Sequence, residues 1–342
     1  MSRVLHIVPG TDDIANGMAV VARLLAKEQG DAQTTDLKDF LRPCALASEN
    51  PTEVWVHGMW LPKEWLACWR VLKAGKTLVR MTHGSLSPLY LKHQSPFMKW
   101  LVGPIERFFL RRCAKIVATC EAEKGWIEAY LGKKCPAVEV TDIKRFFKLK
   151  GGEAKENWRR GILPRQMGEQ GATSVATLMR LEAASPIDSR AIHLLYLGRC
   201  HPLKGLEYLE AAVAELNSNP VNPVNPVQKT STRSTWLKTE LRIVSNAFGE
   251  ELEKVWDWCD VLVLPTLSEN FGLVIAEALE RGTRVITTDG APAWGEVLTG
   301  LTGFTGLHSG YGGRLIYLKG YRDGTDEERV ELLKRAIERI CK

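Results

Sequence analysis

Short runs of Val, Leu and Ile recur along this chain, and most are too uniformly apolar to be strands with one wet face. They fall at residues 4–8, 54–57, 77–81 and 116–119, with a weaker one at 137–140, and again at 194–197, 241–244, 261–264 and 285–288. Between them lie helical patterns at 18–27, 63–73, 96–112 and 122–131, then at 206–216, 250–259, 273–281 and 292–298. Strands alternating with helices predict parallel sheets covered on both faces. The 342 residues leave room for two such units. The expected architecture is α/β, with two doubly wound, Rossmann-like domains facing a cleft. The first domain is expected over 1–190, with a polar connector and insertion at about 148–190, and the second over 191–325. Apolar positions Val330, Leu333, Ala336, Ile337 and Ile340 predict a C-terminal closing helix within 326–342. The Pro/Asn repeat at 220–227 cannot continue a helix or a sheet interior, so it reads as an extended excursion.

Composition narrows the class. Hydrophobic content of 45% and charged content of 25% are those of a globular protein. The N-terminus reads as a first strand, not a signal peptide, and no apolar run has the length of a membrane span. The eight cysteines form no Cys-x-x-Cys pair and have no His at ligand spacing, which points to a cytoplasmic protein with reduced thiols and no metal site. Charge is uneven: between Leu61 and Lys115 there are eleven basic residues and two acidic ones. That stretch reads either as a solvated face or as a surface attracted to anionic lipid or an anionic acceptor. The mixture of aromatics with Lys and Arg at 97–112 fits an interfacial helix or a core helix with a basic outer face. No nucleic-acid module accompanies the charge.

The chemistry concentrates at the carboxyl ends of the apolar runs, where open α/β sheets bind ligands. After the run at 261–264 the chain reads Pro265-Thr266-Leu267-Ser268-Glu269-Asn270-Phe271-Gly272-Leu273 and opens a helix carrying Glu277. Glu269 and Glu277 are two acids able to hold hydroxyls, beside helix-start N–H groups able to hold an anion. After the run at 194–197, Gly198 permits a tight exit, and Arg199 and Lys204 supply cations suited to a diphosphate. Asn16-Gly17 opens a helix in the first half, where backbone can approach an oxyanion, and Asp12 and Asp13 share its loop. His57-Gly58 and His83-Gly84 follow two strands at the same face. Each has a structural alternative, a capped turn or a satisfied histidine. No Gly-x-Ser-x-Gly elbow, phosphate loop or Gly-x-Gly-x-x-Gly supports a hydrolase, a kinase or a dehydrogenase.

Taken together, Gly198-Arg199 with Lys204-Gly205, and Ser268-Glu269-Asn270-Phe271-Gly272 with Glu277-Ala278-Leu279, resemble glycosyltransferase family 4, retaining enzymes of the GT-B fold. Thr82-His83-Gly84-Ser85, the segment 118–123 and the segment 282–288 support the likeness. The resemblance implies a UDP- or GDP-linked sugar donor in the second domain and no bound metal or other cofactor. Arg199 and Lys204 would hold the diphosphate and Glu277 the ribose. Glu269, with backbone from Asn270 through Phe271 and Gly272 to Leu273, would hold the transferred sugar. His83 would touch that sugar from the first domain, with Gly17 and His57 toward phosphate or acceptor. The acceptor would be a glycan or a lipid-linked molecule of polysaccharide or lipopolysaccharide synthesis, met in the cytoplasm or at the inner membrane face. Two departures stand out: the segment 139–143 lacks the family's Pro-Asn-Gly, and 216–262 is one strand and helix short of the pattern that encloses the nucleotide base. A related epimerase, a phosphorylase or a non-catalytic glycan-binding or assembly partner are the competing readings.

Overall fold

The computed structural model describes residues 3–11, 16–30, 32–42, 50–95, 97–147, 191–218, 238–245, 247–296, 306–310 and 313–341. Asp12, Asp13, the connector 148–190 and the Pro/Asn repeat lie outside them. The first half runs β1 (Val4–Val8), α1 (Gly17–Glu28), β2 (Gln33–Asp36), α2 (Leu37–Phe40), β3 (Glu53–His57), α3 (Pro62–Lys73), β4 (Thr77–Met81), α4 (Pro88–His93), α5 (Gly103–Leu110), β5 (Lys115–Ala118), α6 (Glu121–Leu131) and β6 (Ala137–Val140). The second runs β7 (Ile192–Leu197), α7 (Leu206–Ser218), β8 (Thr239–Val244), α8 (Gly249–Trp258), β9 (Val261–Leu264), α9 (Leu273–Arg281), β10 (Arg284–Thr288), α10 (Pro292–Gly295), β11 (Gly306–Gly310), β12 (Leu315–Lys319) and α11 (Asp326–Cys341).

The apolar runs become the central strands because both faces of each sheet are covered; all four residues of β9 are buried. Sheet one is ordered β2-β1-β3-β4-β5-β6 and is parallel throughout. Sheet two is ordered β11-β12-β10-β9-β7-β8, with only the β11–β12 pair antiparallel. Strand order reverses between β1 and β3 in one sheet and between β7 and β9 in the other. Those reversals open the crevices where such sheets take ligands. The architecture is the expected GT-B pair of Rossmann-like domains.

Differences from the sequence reading have local causes. β2 is a polar edge strand, Gln33-Thr34-Thr35-Asp36, with no apolar run to betray it. The helix expected over 96–112 is divided: a π-turn at Met98–Val102 leads into α5, where Gly103 and Pro104 start a new helix because proline has no N–H to continue the old one. β12 extends sheet two beyond the pattern read above. The closing helix α11 buries Leu333, Ala336, Ile337 and Ile340. It packs on α7 and β12 of its own domain.

Arg80, in the middle of β4, is fully buried. Its guanidinium donates to the Gly58 carbonyl at 2.6 Å and lies 3.6 Å from the Glu106 carboxylate. Glu106 in turn accepts from Trp60 N at 2.5 Å and Trp65 Nε1 at 2.8 Å. A buried charge is tolerable when paired and hydrogen-bonded in this way. The pair fixes the exit of β3, directly after His57.

Candidate active site

The β7 and β9 exits are stitched together before any ligand is considered. The Leu203 carbonyl accepts from Leu267 N at 2.9 Å, Ser268 N at 3.2 Å and Thr266 Oγ1 at 3.2 Å. Gly205, with φ of +62°, lies so close to the Pro265 carbonyl that a Cβ there would overlap it. Lys204 is thereby delivered to Glu269: its ammonium lies 2.5 Å from Oε2 and 3.4 Å from the Ser268 carbonyl. The cation and the acid expected to serve diphosphate and sugar therefore meet each other. Glu269 Oε1 accepts from Asn270 N at 3.0 Å, so that N–H, expected to face the sugar, is occupied.

Arg199 is exposed, and its guanidinium has no ion pair or hydrogen bond among the described residues. The Tyr196 hydroxyl donates to the Arg199 carbonyl at 2.8 Å. Burial, with Glu269 among the nearby anions, pushes that phenol above its usual range, while Arg199 opposes the shift. Arg199 and Glu269 are thus within electrostatic reach of one hydroxyl. Glu277 is half-buried in α9, and burial raises its carboxyl. Among the described residues its carboxylate has no hydrogen bond or ion pair, to Lys204 or to any other group, so the two acids of the motif are not joined through that lysine.

Where the two domains touch, the starts of two helices converge. Gly17 is the first residue of α1, capped by Asn16, whose Oδ1 accepts from Met18 N at 3.1 Å. A Cβ on Gly17 would lie 3.4 Å from Leu273, the first residue of α9. Both helix starts carry positive partial charge and N–H groups without intrahelical acceptors. Beside them Ser87 Oγ lies 3.0 Å from Ser268 Oγ. The Ala122 N–H at the start of α6 donates to Glu296 Oε1 at 3.1 Å, and Lys144 Nζ donates to the Ala293 carbonyl at 2.8 Å.

One expectation needs correction. His57 does not reach the cleft: it is fully buried, 2.9 Å from His6 and 2.8 Å from His83 through its two ring nitrogens. The Phe271 ring is buried against Trp294 at 5.3 Å and Phe147 at 6.3 Å, and Trp294 Nε1 donates to the Phe271 carbonyl, so the role expected of this residue rests on its backbone N–H alone. The Asn270 side chain is turned to the first domain, with Oδ1 2.8 Å from Thr119 Oγ1.

His83 does stand at the seam. It is half-buried, and its φ of +49° is a left-handed conformation unusual for a residue with a side chain. A Cβ on the neighbouring Gly84 would lie 3.0 Å from Asn270, so only glycine lets the two loops approach this closely. Glu123 holds the turn. Its buried carboxylate accepts from Thr82 Oγ1 at 2.7 Å, Gly84 N at 2.5 Å, and Thr119 N and Oγ1 at 2.8 Å each. One hydroxyl proton cannot serve both Glu123 and Asn270. Both Thr119 contacts are satisfied when Thr119 donates to Glu123 and the Asn270 amide turns to donate its NH2 to the Thr119 hydroxyl. Sequence reasoning missed Glu123: an acid at the third position of a helix reads as a helix-start charge.

Residues 191–307 match the family model described as Glycosyl transferases group 1. No curated protein matches the chain in sequence. Among solved structures, the fold is similar to sucrose-phosphate synthase from Thermosynechococcus elongatus, with a TM-score of 0.57, 15% identity, and 100% of this chain and 91% of that one covered. It is also similar to an alpha,alpha-trehalose 6-phosphate synthase from Burkholderia multivorans, with a TM-score of 0.56, 12% identity and coverage of 100% and 91%. The second domain thus matches glycosyl transferases group 1, and the chain as a whole has the GT-B architecture.

Proposed function

We propose that the chain is a retaining, metal-independent hexosyltransferase of family 4 type. It moves a sugar from a UDP- or GDP-linked donor to a glycan or lipid-linked acceptor of polysaccharide or lipopolysaccharide synthesis. The observation that carries this reading is the convergence of the α1 and α9 starts, Gly17 beside Leu273, next to the Lys204–Glu269 pair. A diphosphate placed there meets two helix N-termini, the unpaired Arg199 guanidinium and Lys204. Negative charge building on the leaving diphosphate is met by fixed cations and dipoles where it develops. The leaving phosphate oxygen takes the proton of the attacking acceptor hydroxyl on the same face, which accounts for retention. Glu269, held by Lys204 and its own following N–H, is oriented to accept hydroxyls of the transferred sugar, and Glu277 is free to accept those of the ribose. The carboxyl end of β8, the strand beside β7, is where a base would lie in this reading.

The test is turnover of UDP- and GDP-sugars by the purified chain and by Glu269→Ala. The expected result is a fall in kcat of roughly 100-fold or more with an unchanged fold. Equal rates would remove Glu269 from the mechanism.

The acceptor side is proposed to meet an anionic membrane from the cytoplasmic face. Among the described residues no helix is long and apolar enough to cross a membrane. Around α3 and α5, which pack together, Trp69, Phe97, Trp100, Leu101 and Phe108 are exposed, Trp100 by 78%. Cations accompany them: Lys73 lies over Trp69, and the Arg112 guanidinium lies 3.5 Å from the Phe108 ring centre. Aromatics among cations suit the headgroup region of an anionic bilayer. Flotation with phosphatidylglycerol vesicles should carry the protein at low salt and release it at high salt. Absence of salt-sensitive binding would exclude this contact.

A further inference from the structure

Three histidines on neighbouring strands form a hydrogen-bonded row that ends at the seam between the two domains. His6 lies in β1, His57 closes β3, and His83 follows β4; these are adjacent strands of sheet one. Gln29 Oε1 lies 2.9 Å from His6 Nε2, His6 Nδ1 lies 2.9 Å from His57 Nε2, and His57 Nδ1 lies 2.8 Å from His83 Nε2. Trp55 packs its ring beside His6 at 4.9 Å and His57 at 6.5 Å, limiting their rotation.

A nitrogen-to-nitrogen hydrogen bond needs one N–H and one lone pair at each contact. The direction of the row is therefore set at its far end. In the structure the Gln29 amide turns its oxygen, not its NH2, to His6; in that orientation it can only accept, so His6 carries its proton on Nε2 and presents a bare Nδ1, whereas the turned amide would donate and reverse the row. His57 must then be protonated on Nε2 and bare on Nδ1, and His83 likewise. A proton added to His6 or His57 would place two N–H groups head to head. Burial also lowers all three below their ordinary value, His83 to about 3. The row cannot conduct protons onward, because Gln29 neither takes nor releases one. Its effect is orientation. His83 Nδ1 has no partner among the described residues and is not among the buried unpartnered atoms, so it remains open at the seam.

We propose that Gln29, His6 and His57 are positioning residues that fix His83 as a hydrogen-bond acceptor, with its Nδ1 lone pair facing the cleft. This position then selects a group that donates, such as a sugar hydroxyl, and disfavours phosphate oxygen, which has no proton to give. The choice of a sugar hydroxyl rests on the transfer reading above; the polarity of the row does not.

The tautomers are read directly by long-range nitrogen–proton correlation spectra of the full-length protein labelled with nitrogen-15 histidine, at pH 7.5. The expected spectrum has His6, His57 and His83 each protonated on Nε2 alone. Gln29→Glu retains an acceptor and should leave His83 unchanged. Gln29→Lys presents a donor, which should reverse all three bonds and move the His83 proton to Nδ1. A parent spectrum with the His83 proton on Nδ1, or on both nitrogens, overturns the proposal, as does an unchanged His83 in a folded Gln29→Lys variant. If His83 shows the expected tautomer while no sugar nucleotide is turned over, the transfer reading fails and the row stands.

Discussion

Glu123 is the residue on which the first-domain side of the site most depends. Four donors converge on its buried carboxylate, and they belong to the His83 turn and to Thr119. Replacement by Ala strands those donors away from water. A loss of about 3 kcal/mol is expected, since each buried unsatisfied group costs on the order of 1–3 kcal/mol and the site relaxes in part. Urea denaturation of Glu123→Ala against the parent measures it; a change under 1 kcal/mol would mean the turn holds itself. Not every site residue was legible at this scale. Glu269, Lys204 and Gly205 show in the sequence because a strand exit, a glycine and a charge fall at fixed offsets. His6 and Gln29 carry no such signal: a histidine inside a strand looks like any other strand residue. Phe271 was read only for its backbone; that its ring turns inward against Trp294 has no sequence signal.

At the scale of elements, the second domain depends on the close passage of the β7 and β9 exits. Gly205→Ala would force a side chain onto φ of +62° and against the Pro265 carbonyl. Backbone strain and overlap together predict destabilisation of roughly 2–4 kcal/mol. Thermal unfolding of the variant would show it; an unchanged melting temperature would mean the two loops can separate. The strands that build both crevices were readable because uniformly apolar runs between helices have few other uses. The edges were not. β2 is polar because one side faces solvent, and the break before α5 depends on whether proline starts a helix or interrupts one. Among the described residues β8 is the edge strand of sheet two; much of the stretch 216–262, expected to be one strand and helix short, lies outside them.

Over the whole molecule, two domains are held at a polar seam, and buried titratable groups make their stability depend on pH. His6, His57 and His83 are lowered by burial, so between pH 6.5 and about 3 the folded chain binds fewer protons than the unfolded chain. Stability rises with pH across that window and is lost on acidification. Glu64, raised by burial from 4.5 to about 7, acts in the opposite sense between those values, because the folded chain keeps a proton that the unfolded chain has released. Glu277 and Asp289, also raised by burial, act in the same sense as Glu64 upward from their ordinary carboxylate values. From pH 7 to pH 5 the three histidines pass through their ordinary value together and outweigh these carboxyls, so the denaturation midpoint should fall over that interval. A midpoint that rises over that interval would show that the histidine row is not held neutral.

In the proposed function a nucleoside diphosphate binds where α1 and α9 meet, with Arg199 as one of its cations. Calorimetric titration of UDP and of GDP into the purified full-length protein tests it most directly. At least one should bind the parent, and Arg199→Ala should weaken it about tenfold or more, the loss of one charge-assisted contact. Binding of neither nucleotide, or equal affinity in parent and variant, would contradict the account.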